Sequence, residues 1–104
     1  MELSEGYHTY YIYIITNKFK TVFYTGVTSN LKIRLNQHKE NITGQNRTFA
    51  SRCNVEFLLY YEKFAWVQEA IMREKEIKGW TRDKKIELIK TINSDLNFLN
   101  DLFL

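Results

Sequence analysis

Residues 10–16, YYIYIIT, are apolar, aromatic or β-branched at nearly every position. A short run of that kind without polar alternation predicts a strand buried on both faces, in the middle of a sheet. Residues 22–28, VFYTGVT, form a second such run, and the NKFK between them predicts a hairpin loop. If Thr16 faces Thr21 across that loop, Tyr13 lies opposite Tyr24, with the two side chains about 5 Å apart on one face. Alternation puts Tyr11 on the same face as a supporting group and leaves Tyr10 for the core.

The period then changes. Leu31 and Leu35 have the four-residue spacing of a helical apolar stripe, with Thr28 or Ser29 as N-cap and an end near Lys39. Arg34 and His38 share that spacing and adjoin the stripe, so both lean toward the sheet. After a polar, basic loop at 40–54, residues 55–61 predict a third strand and 65–78 a second helix, ended by Gly79. A third, basic helix starts at Thr81 or Arg82 and runs to Ile92, and 96–104 predicts a short closing helix or docked tail. The fold class is α+β, in one domain over 1–104 with its core at about 8–92.

One position breaks the pattern. Val67, Ala70, Ile71 and Ile77 follow three- and four-residue steps, and Glu74 completes their stripe. A carboxylate on an inward face needs a cation or hydrogen-bond donors. Glu74 is therefore either paired with a structural Arg or holds a metal.

Composition is that of a globular chain: 104 residues, 44% hydrophobic, with seven Tyr, seven Phe and two Trp. A lone cysteine, Cys53, rules out an intrachain disulfide, and no apolar run approaches the roughly 18 residues of a membrane span. With no signal-peptide pattern, the expected setting is cytoplasmic. The net charge is only +3, but all fifteen Lys and Arg lie between Lys18 and Lys90 against eight acids, a local excess of +7. Such an excess suits a polyanion such as nucleic acid, although an ordinary solvated surface also accommodates it.

Four segments together resemble the GIY-YIG nuclease superfamily, in particular its small stand-alone bacterial members: YIYIITN (11–17), FYTGVTSNLKIRLNQHK (23–39), LLYYEKF (58–64) and REKEIKGWTRDKKIELI (73–89). The likeness spans about 10–92, and it rests on the order and spacing of the pieces, each of which is weak alone. Tyr11 stands where the name-giving glycine would be, Thr25 where the isoleucine would be, and Val27 where some members have lysine.

The resemblance implies a three-stranded antiparallel sheet flanked by helices, whose concave face holds one divalent metal, Mg²⁺ or Mn²⁺, and the scissile phosphate. It assigns Tyr24 to activating or positioning the attacking water and Tyr13 to lining the site. An unperturbed phenol has a pKa of about 10, so a base role needs a nearby cation or hydrogen-bond donor, for which His38, Arg34 and the metal are candidates. Arg34 would grip the phosphate with two parallel hydrogen bonds, His38 would contact the catalytic tyrosine and relay or accept a proton, and Glu74 would bind the metal. Without a metal, Arg34 or Arg73 would neutralise Glu74. Lys32, Lys75, Lys78, Arg82, Lys84, Lys85 and Lys90 are candidate backbone-contacting groups, and Trp80 is a core anchor or a stacking residue.

The expected activity is metal-dependent hydrolysis of DNA phosphodiester bonds in DNA repair or processing. The expected partner is DNA, with branched or flapped forms among the candidates, read by structure or with weak sequence preference. The alternative is a non-catalytic nucleic-acid-binding module of the same fold.

Overall fold

The structure, a computed structural model, describes residues 9–43 and 55–103. Strands β1 (Tyr10–Thr16), β2 (Phe23–Thr28) and β3 (Phe57–Phe64) form an antiparallel sheet in the order β2-β1-β3. The run without polar alternation is thus the central strand: Ile12, Tyr13, Ile14, Ile15 and Thr16 are each at most 1% exposed. Among the described residues the helices follow the expected order: α1 (Leu31–Thr43), α2 (Val67–Lys78) and α3 (Arg82–Lys90), with a closing 3₁₀ turn at Asn100–Phe103.

The sheet is covered on both sides. Ile12, Ile14, Leu59 and Tyr60 pack against Ala70 and Ile77 of α2 and Ile89 of α3. Tyr13, Ile15, Val55 and Leu58 pack against Leu31 and Leu35 of α1. Burying those two leucines stabilises by about 1.5–3 kcal/mol each, and this fixes which way α1 faces.

The hairpin register differs from the expectation. Thr16 pairs with Phe23, so Tyr13 faces Gly26 and Tyr24 faces Ile15. The reason lies in the loop, which is six residues long rather than four. Asn17 spans it: its Oδ1 accepts from the Thr21 and Val22 N–H groups at 2.8 and 3.3 Å, and its Nδ2 donates to Thr21 Oγ1 at 2.7 Å. Lys20, at φ 58°, turns the chain in the left-handed region. A slip of two residues keeps every side chain on its face, so Tyr13 and Tyr24 remain neighbours, but diagonally.

Smaller differences follow from local chemistry. The N-cap of α1 is Asn30, whose Oδ1 accepts from the Ile33 N–H at 3.0 Å, while Thr28 Oγ1 accepts from the Asn30 N–H. The expected loop at 40–54 is helical through Thr43; the rest of it, with Cys53, lies outside the described residues. β3 begins at Phe57 and continues to Phe64. Gly79 ends α2 at φ −80°, without a left-handed turn.

The C-terminal tail covers the outer edge of β3. The pairing with β1 shifts between Ile14 and Ile15, and the carbonyl of Leu59 at this irregularity accepts from Asn93 Nδ2 at 2.9 Å. Leu99 N–H donates to Leu58 O, and the Asn100 side chain bonds both Leu58 N–H and Glu56 O. An otherwise open strand edge is closed in this way. Among the described residues no helix is long and apolar enough to cross a membrane.

Candidate active site

The site forms where the α1 side of the sheet meets the β2 edge. Tyr13 lies flat across Gly26: a Cβ at that glycine would come within 2.5 Å of Tyr13 Cζ and closer still to its hydroxyl. Any larger residue would push the phenol aside. Gly26 is therefore a positioning element that the sequence reading left out, although a glycine inside a strand is itself a signal of close approach.

Tyr13 is 1% exposed, and its hydroxyl has two partners from α1. Arg34 Nε donates to it at 3.2 Å, and it lies 3.0 Å from His38 Nε2. A guanidinium can only donate, so the phenol oxygen accepts from Arg34, and with the His38 proton on Nδ1 the phenol donates its own proton to Nε2. That requires a neutral imidazole. Burial, reinforced by the Arg34 charge, pushes the His38 pKa down to about 4, so the ring is uncharged near pH 7. Of the groups expected to stabilise a phenolate, Arg34 therefore supplies the charge at this oxygen, and His38 stands beside it as a neutral ring. Burial also raises the Tyr13 pKa against the pull of Arg34, keeping this phenol protonated.

Tyr24 is half-buried, and its ring stands edge-on to His38 at 5.6 Å, as the Tyr13 ring does at 5.8 Å. His38 thus touches both tyrosines but hydrogen-bonds Tyr13. Arg34 extends past Tyr13: Nη1 donates to Gln37 Oε1 at 3.0 Å, and its pKa is raised first by the Tyr13 hydrogen bond and also by Tyr24. Among the described residues no carboxylate pairs with Arg34. Gln37 carried no signal of this contact in the sequence.

Glu74 approaches from α2, which packs on β1 and β2. Its side chain is 13% exposed, as the interrupted stripe predicted, and its charge reaches Tyr13. The partner is neither Arg34 nor Arg73. Lys78, one turn along, places Nζ 2.6 Å from Glu74 Oε2 and 5.9 Å from the Tyr24 ring centroid. Arg73 points to the opposite flank of α2, where it binds Glu62 and Glu76.

The chemistry of these donors fits a hard divalent ion. Among the described residues no three His, Cys, Asp or Glu converge on one point. A single carboxylate completed by waters and substrate oxygens suits Mg²⁺ or Mn²⁺.

The remaining basic candidates separate. Lys78 lies in the site. Arg82 donates to the Lys20 and Thr21 carbonyls at 2.7 Å each and covers the Phe23 ring, so its guanidinium holds the hairpin loop. Trp80 is a core anchor, packed on the α2/α3 cluster with Arg73 and Lys84 over its ring at 5.2 and 4.4 Å. Lys75 and Lys90 are exposed and Lys85 is half-buried. Lys32 sits on the far flank of α1 from Arg34, beside Phe98 and Phe103 in the cleft under the C-terminal tail.

A profile of the GIY-YIG catalytic domain matches residues 9–87. The chain belongs to the GIY-YIG family. Its first tripeptide is Tyr11-Ile12-Tyr13 and its second Tyr24-Thr25-Gly26, so the two name-giving segments are the two strands that carry the site tyrosines. The chain is 32% identical over 81 residues to UPF0213 protein SH2523 of Staphylococcus haemolyticus, covering 78% of this chain and 94% of that one. It is likewise 32% identical over 82 residues to UPF0213 protein SA0446 of Staphylococcus aureus, covering 79% and 95%. The solution structure of UPF0213 protein BH0048 from Bacillus halodurans is similar in fold, with a TM-score of 0.52 at 25% identity, over 84% of this chain and 88% of that one. GIY-YIG catalytic domains are of nuclease type, which implies a DNA substrate, and typically use divalent metals.

Proposed function

We propose that this GIY-YIG domain is a metal-dependent endonuclease that hydrolyses DNA phosphodiester bonds, with structure selectivity or weak sequence preference, in DNA repair or processing. The observation that carries this reading is Arg34: a guanidinium held on a buried phenol, beside a second and accessible phenol, with no carboxylate to neutralise it among the described residues.

In this reading the free edge of Arg34 binds two oxygens of the scissile phosphate and offsets the charge that grows on them. Tyr24 positions the attacking water. Tyr13 and neutral His38 hold Arg34 in place, and the Tyr13–His38 hydrogen bond provides a path along which a proton can move. Glu74 would hold the divalent ion, which supplies Lewis-acid stabilisation of the phosphoryl and leaving 3′ oxygens when bound. Exposed Lys75 and Lys90, with Lys85, would track the DNA backbone without reading bases.

The competing reading, a binding module that does not cleave, draws on the Lys78–Glu74 ion pair, since a carboxylate neutralised within the chain needs no metal. Glu74→Gln separates the two. Wild type and variant are incubated with labelled linear, nicked, flapped and branched DNA, with Mg²⁺, Mn²⁺ or chelator. Metal-dependent cuts by wild type alone, with binding retained by the variant, support the nuclease. Equal products from both proteins, or none from either at full binding, would favour the module.

A further inference from the structure

We propose that Lys78 is the resident cation of Glu74, and that a divalent metal would bind this carboxylate by exchange with it. The inference deepens the reading above and rests on Glu74 being the metal carboxylate. Three observations carry it. The contact is short, 2.6 Å from Nζ to Oε2, and Glu74, whose side chain is 13% exposed, has Lys78 as its ion-pair partner among the described residues. Lys78 is 51% exposed, so its ammonium can leave on a flexible stem without unpacking the core. Finally, the paired Nζ lies 5.9 Å from the Tyr24 ring centroid, so the exchange takes place beside the second phenol of the site.

The physical logic is competition. A divalent ion and an ammonium on one carboxylate repel each other at a separation of a few ångströms. Pairs between an exposed lysine and a carboxylate are weak, so displacement is cheap. The lysine neutralises a carboxylate that would otherwise be sheltered and unpaired, yet imposes only a modest barrier to the metal. Once displaced, its ammonium is placed to meet an incoming phosphate. Metal and DNA should therefore strengthen each other's binding, reciprocally as linkage demands.

The test uses the full chain without DNA. Mn²⁺ affinity is measured by calorimetry at low ionic strength, and the position of bound Mn²⁺ from paramagnetic broadening of amide signals along α2. Four proteins are compared: wild type, Lys78→Met, Lys75→Met and Glu74→Gln. Lys75→Met removes the same charge from the same helix but not from the carboxylate. Lys78→Met should bind Mn²⁺ about five- to tenfold more tightly, and Lys75→Met within about twofold of wild type. Broadening around residue 74 should disappear in Glu74→Gln. Unchanged or weaker binding by Lys78→Met, or an equal gain from Lys75→Met, overturns the exchange. Local broadening that survives in Glu74→Gln overturns instead the metal assignment on which the exchange rests.

Discussion

Each side of the sheet buries a tyrosine next to an arginine, and the two arrangements are built to opposite ends. On the α2 side, Tyr60 donates to Glu62, and Arg73 grips both oxygens of that carboxylate at 3.0 Å while also binding Glu76 at 2.9 Å. Burial raises the Tyr60 pKa, with Glu62 adding to the effect, and Arg73 is raised chiefly by its hydrogen bond to Glu62. Burial works against ionised Glu62, but its bonds to Arg73 and Tyr60 more than offset this and leave its pKa lowered. Every charge there has an opposite neighbour. On the α1 side, Tyr13 has Arg34 and a neutral His38, and Arg34 bonds phenol and amide oxygens with no carboxylate among the described residues. The same residue types make a closed clamp on one side and an open anion site on the other. What differs is the carboxylate.

The largest expected effect comes from removing the open cation. Arg34→Ala should lower cleavage by about 10²–10³-fold, on the scale of losing one transition-state donor, while thermal stability changes by less than about 1 kcal/mol. An unfolded variant, or one that still cleaves, would make Arg34 structural and erase the contrast.

His38 sharpens the comparison through pH. Unfolded, its imidazole protonates near 6.5; folded, only near 4. Its contribution is therefore fully present above pH 6.5 and is lost as pH falls to about 4, amounting to about 3 kcal/mol. His38→Gln keeps an acceptor for the Tyr13 hydroxyl without the titration, so its stability curve should be flatter across that window in chemical denaturation. Parallel curves would mean that the imidazole is already charged in the folded state.

The closed side should respond in the reverse sense to Arg34. Arg73→Ala strands Glu62 and loosens Tyr60, costing about 2 kcal/mol of stability, with cleavage per folded molecule within about twofold, a gap too small to correspond to a lost catalytic contact. Loss of cleavage without loss of stability would put Arg73 in the site. The smallest effect concerns two threonines. Thr16 Oγ1 donates to Val22 O at 2.8 Å, whereas buried Thr25 Oγ1 has no partner among the described residues. Thr25→Val should accordingly stabilise by about 1 kcal/mol, and Thr16→Val should destabilise, as read from thermal midpoints.

Much of this was legible in the chain. The unbroken apolar run 10–16 identified the central strand, because only a strand covered on both faces lacks polar alternation. Leu31 and Leu35 oriented α1 and, with it, Arg34 and His38. Glu74 declared itself as a carboxylate on an apolar stripe. The hairpin register was not legible, because a single asparagine side chain spanning a loop of six residues has no periodic signature.

The amino-acid sequence by itself determined the elements, their inward faces and the residue types gathered at the site, since these depend on local spacing and burial. Only the tertiary structure decided the pairings: Tyr13 across Gly26, Lys78 rather than an arginine on Glu74, Arg82 on the hairpin carbonyls and Arg34 without a carboxylate among the described residues. Such pairings depend on distances between chain segments far apart in sequence, and they also decide whether a charge is neutralised within the fold or left for a ligand.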